Sequence, residues 1–431
     1  MYPATLESIC SRVSSGGTPS RKHAEYFTTD STGHRWVKSK ELIDGSISDT
    51  EEKITDDGLN ESAAKYFPAN TVLVAMYGAN VGQLGWLRRA ATVNQAICGL
   101  VVDDKKADWR FVFYSLLQNR GDLTVQAQGA AQQNLNQDLI RKFAVPLPPL
   151  QVQRQIAGIL SAYDELIENS QRRIRILESM ARALYREWFV DFRFPDFAKA
   201  SSGSPGHEKT KIVASPVGPI PQGWEVTTLR AVTTKIGSGA TPRGGKDAYK
   251  TEGIHLIRSL NVYDYSFEFE DLAFIDEQQA AELDNVTVEE NDILLNITGA
   301  SVARCALVLS YLLPARVNQH VAIIRADPVK VSPFYVLDAI NSDQRKQQLL
   351  ALAQGGATRE ALTKDTVSNF EIVLPPRPLM KHYDAIARGI HKQREVMLRQ
   401  IQILRRTRDL LLPRLLSGGL SARNLTPSKH D

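Results

Sequence analysis

Residues 237–247 read GSGATPRGGKD, and glycines, a small-residue turn and a lysine are the ingredients of a phosphate-binding loop. Such a loop needs Gly, four residues, then Gly-Lys-Ser/Thr, so that backbone N–H groups curl around phosphates and the final hydroxyl holds magnesium. Counting back from Lys246 puts Ala240 where the first glycine belongs, and Asp247 replaces the hydroxyl with a negative charge. Nucleotide binding is therefore not expected. Asp49 with Glu51, Glu52 and Lys53 has the carboxylates and lysine of a magnesium nuclease, but it stands in a hydrophilic stretch, SDTEEKITDDG, with no counterpart later in the chain. An amino-methyltransferase needs Asn/Asp-Pro-Pro-aromatic, and the two LPP tripeptides carry Leu147 and Leu374 at the catalytic position. Cys10, Cys98 and Cys305 lie far apart with no CxxC spacing, and the eight histidines form no HxH or HExxH cluster. No catalytic residue, metal or cofactor is assigned.

What these stretches do have is relatives inside the same chain. TLESICSRVSSGGTPS (5–20) echoes TLRAVTTKIGSGATPR (228–243) at an offset of 223. VKSKELID (37–44) faces IRSLNVYD (257–264), VLVAMYGANVG (72–82) faces ILLNITGASVA (293–303), and VNQ recurs at 93–95 and 317–319. QGAAQQNLNQDLIRKFAVPLPP (128–149) faces QGGATREALTKDTVSNFEIVLPP (354–376). The offset drifts by a few residues, as loop insertions produce, but the order never changes. The chain is written twice.

After each LPP comes a heptad stripe. Ile156, Leu160, Tyr163, Ile167, Ser170, Ile174, Leu177, Ala181, Leu184 and Trp188 alternate steps of four and three. The second stripe, Tyr383, Ala387, Ile390, Arg394, Met397, Ile401, Leu404, Arg408, Leu411 and Leu415, keeps the same phase. A helix of that span is about 50 Å long, too long for a small globule to bury, so pairing with the other copy is expected, and antiparallel pairing would relate the halves by a two-fold axis. β-rich runs such as NTVLVAMYG and HVAIIRADP, with helices expected at 109–118 and 333–350, make each globular part mixed α and β. The expected fold class is α+β: two tandem mixed α/β domains joined by two long helices in an antiparallel coiled coil, with an internal pseudo-two-fold repeat. The expected boundaries are 1–149, first domain; 150–192, central helix; 193–224, a Gly/Ser/Pro-rich linker; 225–376, second domain; 377–420, C-terminal helix; and 421–431, tail.

At 431 residues, with 43% hydrophobic and 23% charged, the chain has the composition of a multidomain globular protein. No apolar run approaches a membrane span, and MYPATLESIC lacks the basic flank and apolar stretch of a signal peptide, so a cytoplasmic protein is expected. Residues 1–150 hold 16 basic and 16 acidic side chains, residues 225–376 hold 14 and 20, and residues 377–431 hold 12 and 4. Positive charge is thus concentrated toward the C-terminal end.

Two tandem globular units, each closed by LPP and followed by a long helix, resemble the specificity subunit of type I restriction-modification enzymes over essentially the whole chain. PLPPLQVQRQIAGIL (146–160), MARALYREWFVDF (180–192), PIPQGWEVTTL (219–229) and LLPRLLSGGLS (411–421) carry the resemblance along with the repeat. It implies two target recognition domains on double-stranded DNA, held apart by an antiparallel coiled coil. It further implies a docking region for two methyltransferase subunits, with restriction/translocase subunits joining, and no catalysis by the chain itself. A coiled-coil scaffold that binds only proteins is the alternative; it accounts for the helices but not for two diverged globular units.

Reading DNA requires Arg or Lys for guanine, Asn or Gln for adenine, and basic or hydroxyl groups for phosphates. Equivalent positions that differ between copies suit two different half-sites. Lys38 and Lys40 in the first copy and Arg258 and Asn261 in the second follow an expected strand. Tyr77 and Asn80 stand against Thr298, Ser301 and Arg304 at a glycine turn. Gln128, Gln132 and Gln133 stand against Gln354, Thr358 and Arg359 after another. Arg21, Lys22, Arg243 and Lys246 flank the Thr-Pro turns as backbone contacts. Asn94 and Asn318, unchanged within VNQ, are expected to satisfy backbone in a turn.

Overall fold

A computed structural model describes residues 2–128, 134–195, 211–354 and 360–420. The chain forms two units, one from Met1–Asn169 with Gln400–Asp431 and one from Ser170–Arg399. The long helices Leu150–Tyr185 and Arg377–Leu416 each contribute to both.

In the first unit, one sheet runs in the order Cys10–Ser15, Ile97–Val102, Val72–Ala75, Leu84–Leu87, Gly45–Ile47. A second runs Phe27–Thr28, Lys53–Ile54, His34–Val37, Ala91–Val93, Tyr66–Phe67. The second unit repeats four strands of each sheet in the same order. Thr233–Ser238, Val321–Ala326, Ile293–Asn296 and Cys305–Leu307 form one sheet, and Ala273–Ile275, Ile254–Ile257, Ala315–Val317 and Thr287–Val288 the other. Even the parallel pair recurs: Trp36 lies opposite Thr92, and Leu256 opposite Arg316. A short ladder closes each domain, Tyr2–Thr5 on Ala144–Leu147 and Glu225–Thr228 on Glu371–Leu374.

The repeated residues are repeated because they hold this plan together. Leu6 and Leu229 are buried, and their N–H groups donate at 2.9 Å to the carbonyls of Phe143 and Phe370. Gly16 and Gly239 lie where a β-carbon would stand 1.9 and 1.8 Å from the carbonyl oxygens of Val93 and Val317, so nothing larger fits.

Within each unit the long helices run antiparallel. Leu412, Leu415 and Leu416 pack in the core that holds Ile156, Ala157 and Leu160; in the other unit Tyr383 and Ala387 pack with Tyr185, Trp188 and Phe189. The stripe positions are buried or half-buried throughout: Ile156, Leu160, Ile167, Ile174, Ala181, Trp188, Ile390, Ile401 and Leu415 fully, Tyr163, Leu177, Leu184, Met397, Leu404 and Leu411 partly. The polar Ser170 and Arg394 are buried with them.

Two local expectations change. The helix expected over 333–350 is two helices, Pro333–Asn341 and Asp343–Gln354, because Ser342 is extended (φ −64°, ψ 143°) and begins the second helix by accepting from Lys346 N–H at 2.8 Å. The end of the expected linker is packed: Ile212–Val213 pairs with Ile220–Pro221, and Trp224, 7% exposed, lies 5.9, 5.5 and 5.5 Å from the rings of Phe189, Phe192 and Phe194. Four aromatic side chains outweigh the loop propensity of the surrounding prolines. The three cysteines are buried and unpaired, and burial pushes the Cys98 thiol up to about 12. Among the described residues no helix is long and apolar enough to cross a membrane.

Candidate nucleic-acid interface

The Thr-Pro turns and the VNQ segments, far apart in sequence, meet in both copies. Thr18 Oγ1 donates to Gln95 Oε1, and Thr241 Oγ1 donates to Gln319 Oε1. The stretch that looked like a phosphate loop is thus a turn tied to a neighbouring strand end; Gly244 and Gly245 take positive φ there, and Arg243 is exposed. Asn94 and Asn318 donate their backbone N–H groups to Val37 and Ile257 at 2.9 and 3.1 Å, joining the same strand end to the parallel pair.

In the first copy three of the candidate cations gather around two carboxylates. Arg21 forms a bidentate pair with Glu52 at 2.6 and 2.9 Å, its guanidinium 4.0 Å from the Phe27 ring centroid. Lys38 reaches Glu51 at 3.2 Å and Glu52 at 3.4 Å, and Lys40 reaches Glu51 at 2.7 Å. The electrostatic consequences are reciprocal. Lys40 and then Lys38 hold the Glu51 carboxyl below its usual range, Arg21 does the same for Glu52, and these carboxylates raise Arg21 and Lys40 in turn. Asp49, the other acid of the nuclease-like stretch, lies 3.4 Å from Arg35 and 3.7 Å from Lys53. Cations, not a shared metal position, are what these carboxylates face. Lys22 is exposed beside the cluster.

The second copy is built differently at the same place. Asn261, a candidate base reader, is fully buried: its Oδ1 accepts from Arg258 N–H at 3.0 Å, and its Nδ2 donates to the carbonyls of Glu268 and Glu270 at 3.0 and 3.3 Å. Asn261 therefore caps a turn and presents nothing to a ligand, a role that Glu41 fills in the first copy by accepting from Lys38 N–H at 2.7 Å. Arg258 donates to the Asp271 carbonyl and lies 5.3 Å over Tyr249. Arg304 lies 4.2 Å over Tyr263.

The glycine turns superimpose in plan. Gly78–Asn80 and Gly299–Ser301 are single 3-10 turns whose first glycines take φ of +79° and +73° with open space where a β-carbon would be. That conformation favours glycine and leaves the backbone approachable. Tyr77 is 40% exposed before the first turn; Thr298 is half-buried before the second, and Asn80, Ser301 and Arg304 are half-buried. Gln132, Gln133, Thr358 and Arg359, and the side chains of Gln128 and Lys246, lie outside the described residues.

Glu51, Glu52, Gln95, Gln319 and His320 were not among the candidates. The glutamates stood in a stretch weighed only for metal chemistry. For the glutamines a signal existed, since Thr-Pro and VNQ recur as a set, at offsets of 223 and 224, and residues repeated together are in contact here.

Residues 4–179 match the family model of the type I restriction modification DNA specificity domain. The chain is 24% identical over 418 residues to the type I restriction enzyme MjaIX specificity subunit of Methanocaldococcus jannaschii, covering 96% of this chain and 92% of that one. It is 22% identical to the MjaVIII specificity subunit of the same organism over 83% of this chain and 80% of that one. The type I restriction-modification S subunit from M. genitalium shares the fold, with a TM-score of 0.62 at 15% identity over 96% and 95% of the two chains. The chain is thus similar to type I restriction enzyme specificity subunits over nearly its whole length, and to the family model of their DNA specificity domain over residues 4–179.

Proposed function

We propose that this chain reads a bipartite, asymmetric sequence in double-stranded DNA, one half-site per recognition domain, and docks two methyltransferase subunits that act on it, with restriction/translocase subunits joining the complex. The observation that carries the reading is the pairing of a shared four-strand order in each sheet with different side chains at equivalent loop positions: Lys38 against Arg258, Tyr77 against Thr298, and an acid-clamped cation cluster present in the first copy alone among the described residues. One scaffold presenting two chemistries suits two different half-sites. Arg21, Lys22, Lys38, Lys40, Tyr77 and Asn80 are assigned to one half-site, and Arg243, Arg258, Thr298, Ser301 and Arg304 to the other. Protein docking is supported by apolar side chains left exposed on the long helices, Ile403 and Leu410 in the first unit and Ile176, Met180, Ile386 and Val396 in the second.

The test is methylome sequencing of cells carrying this chain with its cognate methyltransferase subunit, against cells lacking the chain. A bipartite methylated motif that depends on the chain is the expected result. An assembled complex with no new motif would favour the protein-scaffold alternative. Inserting one heptad in both helices should then alter the gap and leave both half-sites unchanged.

A further inference from the structure

The second copy contains a hydrogen-bond chain with a direction. Thr241 Oγ1 donates to Gln319 Oε1, Gln319 Nε2 lies 3.2 Å from His320 Nε2, and His320 Nδ1 lies 2.6 Å from Thr298 Oγ1. An amide nitrogen donates and cannot accept, so His320 Nε2 must offer its lone pair. The ring proton of the neutral imidazole then sits on Nδ1 and is donated to Thr298 Oγ1. Thr298 receives a hydrogen bond at its oxygen, and its own O–H has no acceptor among the described residues. The backbone holds the chain in place: Ile297 N–H donates to the His320 carbonyl at 3.0 Å, Gly299 N–H to the Glu360 carbonyl at 3.0 Å, and Leu362 N–H to the Ile297 carbonyl at 2.8 Å.

The first copy has the same backbone without the relay. Met76 N–H donates to the Ala96 carbonyl at 2.7 Å, and Thr18 is tied to Gln95, but alanine stands where His320 does and Tyr77 replaces Thr298. Among the described residues, the connection between the Thr-Pro turn and the glycine turn is therefore particular to the second copy.

We infer that His320 is a positioning residue that turns the Thr298 O–H toward the second half-site as a hydrogen-bond donor. This rests on the bipartite reading above and names how one of its domains discriminates. With one lone pair of its oxygen taken by His320, the hydroxyl is biased toward donating its own proton, which favours base edges presenting an acceptor, such as purine N7, guanine O6 or thymine O4, over those presenting a donor.

The experiment compares the methylation motifs of assembled complexes carrying the native chain, His320→Ala, Thr298→Val, Thr298→Ser and the His320→Ala/Thr298→Val double variant. Both His320→Ala and the near-isosteric Thr298→Val should lower discrimination at one and the same base pair of the second half-site by about five- to tenfold. The double variant should be no worse than either single one, Thr298→Ser should retain the native preference, and the first half-site should be unchanged. A purely structural role would instead lower methylation uniformly over all target variants. Native discrimination in both single variants, or such a uniform loss, would overturn the inference while leaving the bipartite reading intact. A native complex that methylates no bipartite motif would remove that reading and the inference with it.

Discussion

Arg394 Nε donates to Glu178 Oε1 across 2.8 Å from a stripe position where a heptad seam normally holds an apolar side chain. The guanidinium also donates to the Tyr265 carbonyl and is 9% exposed, so the charge is compensated where it is buried. Replacing Arg394 by alanine would strand Glu178 and an unpaired carbonyl. Arg394→Ala should therefore lower stability by about 2–4 kcal/mol, read as a reduced urea midpoint, and leucine at both 394 and 178 should recover most of it. An unshifted midpoint for the alanine variant would show that the pair contributes nothing.

Asp338 supplies a pH dependence. It is fully buried, burial pushes its carboxyl up to about 7, and the Tyr383 hydroxyl donates to it. Because the folded value lies above the ordinary 3.8, the stability it contributes is fully present below about pH 4 and is lost as pH rises through 7. His391 opposes this: burial lowers its imidazole to about 4, so its contribution is present above pH 6.5 and lost as pH falls through 4. Asp338→Asn should remove the first effect alone. The native-minus-variant difference in unfolding free energy should fall between pH 4 and 7, by at most about 4 kcal/mol, and be flat above. A pH-independent difference would refute the assignment.

Neutralising the acids of the first copy should strengthen DNA binding. In Glu51→Gln/Glu52→Gln, Arg21, Lys38 and Lys40 lose the carboxylates that hold them and become available to phosphate. Affinity of the assembled complex should rise at low salt, and the slope of log affinity against log salt should steepen by about 1 to 2. If affinity and slope both stay at native values, the cluster lies away from the DNA.

Gly239→Ala would drive a β-carbon into the Val317 carbonyl, and Gly16→Ala into that of Val93. Each should destabilise its own domain by about 2 kcal/mol or more, since backbone must move on both sides of the contact. Limited proteolysis should show the loss confined to the domain that carries the substitution; cleavage spread equally over both would contradict it.

How much of this was readable in the chain follows from range. The duplication, the strands Val72–Ala75 and Ile293–Asn296, and the helix Trp109–Gln118 were readable because apolar periodicity and repeated order are properties of neighbouring residues. So was the helical stripe, where even Ser170 and Arg394 stay in phase with their apolar neighbours. The break at Ser342 was missed because the apolar pattern runs on across it, and the packing of Trp224 because proline and glycine around it read as linker.

The candidate site was less legible, for a physical reason. Residue type and spacing say which side chains can meet DNA, and on that basis Lys38 and Asn261 look alike as polar residues after a strand. Tertiary contacts decide which of them is available: Asn261 is enclosed by the carbonyls of Glu268 and Glu270, whereas Lys38 keeps a partly exposed ammonium between Glu51 and Glu52. The sequence alone determined two copies of one domain, each followed by a helix with a matching stripe, since local periodicity and order suffice for that. Only the tertiary structure decided which carboxylates clamp the cations and that His320 joins two loops in one copy, because those pairings depend on distances between residues far apart in the chain.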